Sequence, residues 1–409
     1  MHIAGSFISP WFVAKLGHRW ALFVSNLTYV GMVAGNLQPS IAFLAFLWAL
    51  GGVGGGVWWT AHGEFLMGPA CTGPHISFDR ASGIFFGIYQ FSGVVGNGLA
   101  ALLLRWGVSF NVLVIIMAIL CIDGGFSFFL LKEVPRKAAA PGHNEGLAAV
   151  QWMWDWRAKY MWALMTYWGL AQSFFFGQLP RGVPTMTEKA IVMACWSGAN
   201  VVGSFLVGRF SNTVGRTPLL FVTTVLHFVA LIQTNIAENH VHGSMSLGPY
   251  IAAGLISGLA DSGLTTMIYA ITGDVFSDCT AAAYAALSAL RVLGSATGFF
   301  LEIILKGPLQ VYLIVCMLVL LVIGMVTTHA LLRKVDKKTA PEIQRRKRPR
   351  KELPPLRHGS KPRDKYLRLF KSKSSGVVHK RLQQVRGLAK KASGRAKHKF
   401  QKLRQREES

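Results

Sequence analysis

Apolar residues in this chain come in long blocks separated by short polar stretches. A membrane-spanning helix needs about 20 mostly apolar residues. Blocks of that kind lie near 1–14 (short), 20–36, 41–66, 82–104, 108–131, 158–179, 189–208, 218–236, 248–272, 280–303 and 309–332. In lipid each backbone amide must be satisfied within its own segment, so these blocks predict helices. A barrel would instead show alternating strands of about ten residues, and the sequence has none. The pattern predicts an all-α integral membrane protein with about eleven spans.

The loops predict orientation. One set carries Lys15 and Arg19, then Arg80, then Lys132, Arg136, Lys137, Arg157 and Lys159, then Arg209 and Arg216, and finally the C-terminal tail. The other set carries only Arg105, Arg181, Lys189 and Lys306. Basic loops stay in the cytosol, so the first set and the C-terminus are expected there.

The chain also repeats itself. LGHRWALF at 16–23 is similar to VGRTPLLF at 214–221, 198 positions later. At similar offsets 41–66 pairs with 248–272, 82–104 with 280–303 and 108–131 with 309–332. Two six-helix halves in the same orientation explain this, an arrangement built into some transporters. The expected organisation is an N-terminal bundle over 1–131, a cytosolic linker over 132–157, a C-terminal bundle over 158–332 and a tail over 333–409. The helix at 158–179 finds no partner in the first half, and the first block is short. The chain is therefore expected to begin inside the second helix of a twelve-helix bundle.

Charge separates the tail from the body. Of 43 Lys+Arg and 18 Asp+Glu, residues 333–409 hold 28 and 6, a net +22, which leaves +3 for residues 1–332. Prolines at 341, 349, 354, 355 and 362 argue for disorder in the tail's first half, and 380–406 could form a basic helix. Such a tail is solvated in the cytosol or lies on anionic lipid. A membrane-anchored body makes a nucleic-acid partner for QRRKRPRK at 344–351 unexpected. The five cysteines show no C-x-x-C spacing and read as lone thiols.

The loop GRFSNTVGR at 208–216 places Gly208 and Gly215 beside Arg209 and Arg216 at a cytosolic helix end. It resembles the signature loop of the major facilitator superfamily, with Asn212 where that family usually has an acidic residue. The first-half counterpart, AKLGHR, is reduced further. GGVGGGVWWTAHGE at 51–64 packs five glycines ahead of Trp58 and Trp59, and mid-membrane glycines let helices touch backbone to backbone. Together with GIFFGIYQFSGVVGNG at 83–98 (Gln90, Ser92, Gly96, Asn97) and ISGLADSGLTTMIYAITGDVF at 256–276 (Asp261, Ile268, Tyr269), it resembles the uncoordinated-93-like branch of that superfamily over residues 1–332. The resemblance implies a twelve-helix facilitator fold. Members of the branch act as regulatory partners of potassium channels, as trafficking chaperones of membrane receptors, or as presumed transporters.

Polar groups inside spans are the physical route to a site. Asp261 and Arg291 lie on successive helices, so a buried Asp–Arg pair is open to them. It would be either an ion- or proton-coupled site facing a central cavity or a charge pair locking two helices. Glu64 and Glu302 lie near span ends, Asp123 beside Gly124 and Gly125 reads as structural, and Gln90, Asn97 and Asn200 line a cavity or bridge helices. His227 reads as packing, and Glu238, His240 and His242 share one outward loop that is a weak metal candidate. The chain contains no P-loop, no G-x-S-x-G and no paired His–Glu helix motif. No enzyme activity, metal or other cofactor is expected. A secondary transporter of a small solute or ion fits best; a non-transporting regulatory or trafficking subunit of a channel or other membrane protein is the alternative.

Overall fold

The apolar blocks form helices, and short polar turns join them. The computed structural model describes residues 1–38, 40–68, 71–72, 76–132, 145–240, 247–305 and 309–347, with the backbone alone at 145–148, 238–240 and 336–347. The tail beyond 347, most of the linker, and the metal candidate made by the side chains of Glu238, His240 and His242 lie outside the described residues.

The helices are α1 (His2–Ala34), α2 (Ile41–Leu66), α3 (Phe78–Arg105), α4 (Phe110–Phe126), α5 (Glu145–Met153), α6 (Trp156–Lys159), α7 (Trp162–Arg181), α8 (Met186–Val214), α9 (Arg216–His240), α10 (Gly248–Val275), α11 (Thr280–Ile304) and α12 (Gln310–Lys347). Eight of these are long and apolar enough to cross a membrane. With α7 and the two arms of α1 they make the eleven spans the sequence predicts. The short helix α5 falls within the expected linker, and α6 straddles its boundary at 157.

α1 is two helical arms, 2–16 and 18–34, joined at Gly17, whose backbone is non-helical (φ 76, ψ 165). Gly215 ends α8 with nearly the same geometry (φ 89, ψ 160). L side chains are strained at positive φ. The two glycines are the matched positions of the repeat, so both halves turn on the same device.

α10 is the central helix. In its most apolar window 72% of residues are buried, against 11–44% for the other candidate spans. Neighbouring helices cover most of it, so its buried polar residues, Asp261 among them, meet those helices rather than lipid. Bare backbone sets the closest helix contacts. A Cβ at Gly208 of α8 would stand 2.7 Å from the Gly83 Cα of α3, and one at Gly169 of α7 would run into the Arg291 carbonyl of α11. Large apolar side chains such as Ile88, Val202, Phe221 and Val326 cover the outside, as lipid contact requires.

Candidate functional site

The polar centre is built from both halves. Asp261 on α10 is buried, and its carboxylate accepts from Trp168 Nε1 at 3.2 Å, Asn200 Nδ2 at 2.8 Å and Thr265 Oγ1 at 3.4 Å. The Ser204 hydroxyl donates to the Asn200 amide oxygen at 3.4 Å and fixes its orientation. Arg291 on α11 donates to Gln172 Oε1 at 2.9 Å. Its guanidinium carbon lies 5.0 Å from the Trp59 ring centre and 5.1 Å from that of Trp168. Such stacking contributes about 0.5–1 kcal/mol for an exposed cation and about 2 kcal/mol for a desolvated one, and the half-buried Arg291 lies between.

Among the described residues no ion pair joins Asp261 to Arg291. Trp168 stands between them, its N–H on the carboxylate and its face on the guanidinium. The two charges are bridged by the indole rather than in direct contact. Trp59 comes from α2 in the first half, so Arg291 sits at the junction of the halves. It is only partly buried and spends one of its five N–H donors on a side chain.

Next to it lies His62 on α2, buried in rings: 4.5 Å from Phe85, 5.0 Å from both Trp58 and Trp59, and 5.4 Å from Tyr269. Ser288 of α11 accepts a hydrogen bond from Ser6 at 3.1 Å and lies 3.1 Å from His2 Nε2.

Other sequence candidates lie elsewhere. Gln90 is buried on the α3 stripe facing α8, between Gly87, whose Cβ would meet Phe205, and Gly93, whose Cβ would meet Ser197. Asn97 donates to the Gly93 carbonyl of its own helix at 2.8 Å. Glu64 sits at the far end of α2, 3.7 Å from His18 Nε2. Glu302 is buried against Gln178 and Arg181 of α7. His227 bonds the Thr223 carbonyl within its helix at 3.0 Å, a packing role. Asp123 is exposed on α4.

The end marked by Gly17 and Gly215 is closed by charge. Arg216 grips Asp79 of α3 with two hydrogen bonds, at 3.0 and 2.7 Å, and Asp274 of α10 with one at 2.7 Å. Asn212 donates to the Ser77 hydroxyl at 2.9 Å, so the replaced acidic residue still bonds across the halves. Gly208 provides the α3–α8 close approach, while Arg209 is exposed. At the same end Arg157 bridges Asp155 and Asp278, each at 3.0 Å. Burial opposes ionisation of Asp155, but hydrogen bonds and charge from Arg157 outweigh it and hold the carboxyl below its ordinary range. The hydrogen bond from Arg157 does the same for Asp278.

Sequence reasoning missed Asp79, Asp274, Trp168 and Gln172. One signal was available: HGE at 62–64 aligns with TGD at 272–274, which matches Glu64 to Asp274. The matching charge partners are then His18 for Glu64 and Arg216 for Asp274.

Two helical bundles around a buried polar centre, closed at one end by charged residues, define a membrane protein of the major facilitator type. Among solved structures the fold is similar to the fucose transporter FucP in its outward conformation (TM-score 0.59, 11% identity, 81% of this chain and 87% of that one). It is also similar to the proton:xylose symporter XylE (TM-score 0.62, 10% identity, 81% and 83%). The chain belongs to the UNC-93 family: residues 1–329 match the family described as ion channel regulatory protein UNC-93. The UNC93-like protein MFSD11 of Xenopus laevis is 25% identical over 349 residues, 73% of this chain and 77% of its own length. The protein unc-93 homolog A of Bos taurus is 25% identical over 369 residues, 77% and 80%.

Proposed function

We propose that this chain is a secondary transporter of a small solute, in which Arg291 binds an acidic or hydrogen-bonding group of the solute and Asp261 carries the coupled proton or ion. One observation carries the reading. The partly exposed Arg291 guanidinium sits between Trp59 of the first half and Trp168 of the second, and among the described residues it donates to the side chain of Gln172 alone. A solute held there touches both bundles, and rocking of the bundles exposes it to either side. Trp168 couples the two charges, because anything that shifts Arg291 also shifts the donor on Asp261. The charged end is the cytosolic one in this reading, closed so that the site faces outward. The C-terminal tail then lies in the cytosol against anionic lipid, where each basic residue contributes about 1 kcal/mol. Gln90, Asn97 and Glu64 support helix packing rather than solute contact.

The test is reconstitution of the full chain in proteoliposomes containing a pH-sensitive dye, challenged with a panel of carboxylates, amino acids and sugars. Solute-dependent flux that is lost in Arg291→Gln and altered in its proton dependence by Asp261→Asn supports the reading. Absence of flux for every solute, from protein shown to be folded, refutes it. A second reading rests on the family's description as ion channel regulatory. In that case the polar centre is a structural lock, and co-expression with a potassium channel changes its current equally with wild type and Arg291→Gln.

A further inference from the structure

The two seams between the halves differ at one matched polar position. The repeat pairs AGSF at 4–7 with VGSF at 202–205, so Ser6 of α1 matches Ser204 of α8 at an offset of 198. At the same offset Ser288 of α11 matches Gln90 of α3. Across the α1–α11 seam the Ser6 hydroxyl donates to Ser288 at 3.1 Å. Across the α3–α8 seam the equivalent bond is not made. Ser204 donates instead to Asn200 at 3.4 Å within its own helix, and Gln90 is buried with no hydrogen bond among the described residues. The register brings them together. Gly83 meets Gly208 and Gly93 meets Ser197, which puts Gln90 level with Asn200, one turn from Ser204 on the same face of α8.

Asn200 explains the difference. Its amide nitrogen donates to Asp261, as do Trp168 and Thr265, so the carboxylate meets donors from three sides. That shell suits an ionised carboxylate, which only accepts. A proton on the oxygen facing Asn200 makes that oxygen a donor, and two donors then oppose each other. The Asn200 amide, whose two ends are nearly the same shape, relieves this by turning over. Its oxygen then accepts from Asp261, and its NH2 is presented to Ser204, whose oxygen accepts in turn. The Ser204 O–H is released from its own helix.

We propose that Asn200 is a proton-reading switch: protonation of Asp261 turns its amide over and frees the Ser204 hydroxyl to donate to Gln90 of the first half. The α3–α8 seam then gains the bond that Ser6 and Ser288 already make across the other seam. One proton bound gives one further bond between the halves, so proton binding favours the arrangement in which this seam is shut. The inference rests on the reading that Asp261 carries the coupled proton. The ionisable groups around Asp261 are Arg291 of α11 behind Trp168, Tyr167 of α7, Tyr89 of α3 and, against the Tyr167 ring, His227 of α9.

The experiment is a double-mutant cycle on the full chain, Ser204→Ala with Gln90→Leu. Reversible unfolding is followed in mixed dodecylmaltoside and dodecyl sulfate micelles between about pH 5 and 9. At the alkaline end the two substitutions should act independently. A coupling of roughly fivefold in the unfolding equilibrium, the worth of one hydrogen bond, should appear as Asp261 takes up its proton. Asp261→Asn places a neutral donor there and should show the coupling at every pH. Asn200→Leu should show it at every pH as well, because Ser204 then has no amide to hold it within α8. An Asn200 that only packs would leave the pH dependence in place. His227→Gln should not move the pH profile, since that histidine lies outside the relay. A coupling absent from Asp261→Asn, constant across the range in wild type, or still pH-dependent in Asn200→Leu overturns the proposal. No solute enters this measurement, so its outcome is separate from the flux assay. Coupling without flux keeps the switch and removes the transporter reading; flux without coupling does the reverse.

Discussion

Replacing Arg216 asks which of its two carboxylates closes the charged end. The Asp79 side chain is 6% exposed and takes two hydrogen bonds, whereas that of Asp274 is 49% exposed and takes one. Removing the arginine leaves Asp79 buried without a counter-ion, which costs about 3–5 kcal/mol. The Asp274 contact is half in solvent and contributes about 0–1 kcal/mol. A double-mutant cycle separates the two. Arg216→Gln is combined with Asp79→Asn and, separately, with Asp274→Asn. Unfolding is followed reversibly in mixed dodecylmaltoside and dodecyl sulfate micelles. The Arg216–Asp79 coupling energy should reach about 2–3 kcal/mol and the Arg216–Asp274 one should stay below about 1 kcal/mol. Asp79→Asn should also rescue much of the Arg216→Gln loss, because the orphaned charge is then gone. Equal couplings, or a larger one for Asp274, would show that burial does not rank these bonds, and the reasoning would fail.

Other outcomes follow from the same contacts. Gly208→Ala should destabilise by about 1–3 kcal/mol, because its Cβ meets Gly83 backbone at 2.7 Å and neither helix can give way; a loss under about 0.5 kcal/mol in the same unfolding assay would contradict the close approach. Gly215→Ala meets only Pro218 Cδ at 3.9 Å, so its cost should be the backbone strain of positive φ with extended ψ, about 1–3 kcal/mol, and Gly17→Ala should match it. Trp168→Phe keeps a ring facing Arg291 but removes the donor to Asp261. Its stability loss should be about 1–2 kcal/mol, and introducing Asp261→Asn into both backgrounds should largely cancel the difference between wild type and the Trp168→Phe variant. Asp155 and Asp278 both titrate below their ordinary value of 3.8. Their bridge to Arg157 is therefore fully present above that value and fades as pH falls through the lower folded values. Arg157→Gln should flatten the acid limb of a stability–pH curve recorded between about pH 5 and 2.

The repeat was readable in the sequence because it preserves backbone requirements. Gly17 and Gly215 both turn at positive φ, and only glycine does this without strain. Gly208 and Arg216 were likewise legible in the signature loop, and the bonds they make are those such a loop is suited to form. The centre was legible in part. Asp261 and Arg291 stood out as ionisable residues in apolar blocks, yet the tryptophan that joins them did not, since Trp168 in an apolar block is indistinguishable from lipid-facing or core tryptophan. Gln90 and Asn97 were read, from polarity and from the family resemblance, as lining a cavity or bridging helices. The Asn97 amide donates to the Gly93 carbonyl one turn back, a choice open to any helical asparagine. Asp123 was read as structural from its glycine neighbours, and Gly124 beside it faces open space.

What the sequence determined by itself was therefore local or periodic: the apolar blocks, their helical state, the doubled half, the charge asymmetry of the loops and the family. Each follows from the thickness of the bilayer and from the rule that a backbone in lipid must satisfy itself. The tertiary structure alone decided which polar side chains meet. Asp261 faces Trp168 and Asn200, Arg216 chooses Asp79 over solvent, and Asp123 bonds to no other described residue. Those outcomes depend on the rotation of each helix about its axis. The glycine contacts between helices set that rotation, and a rotation of one residue's arc, about 100°, would exchange every one of these partners.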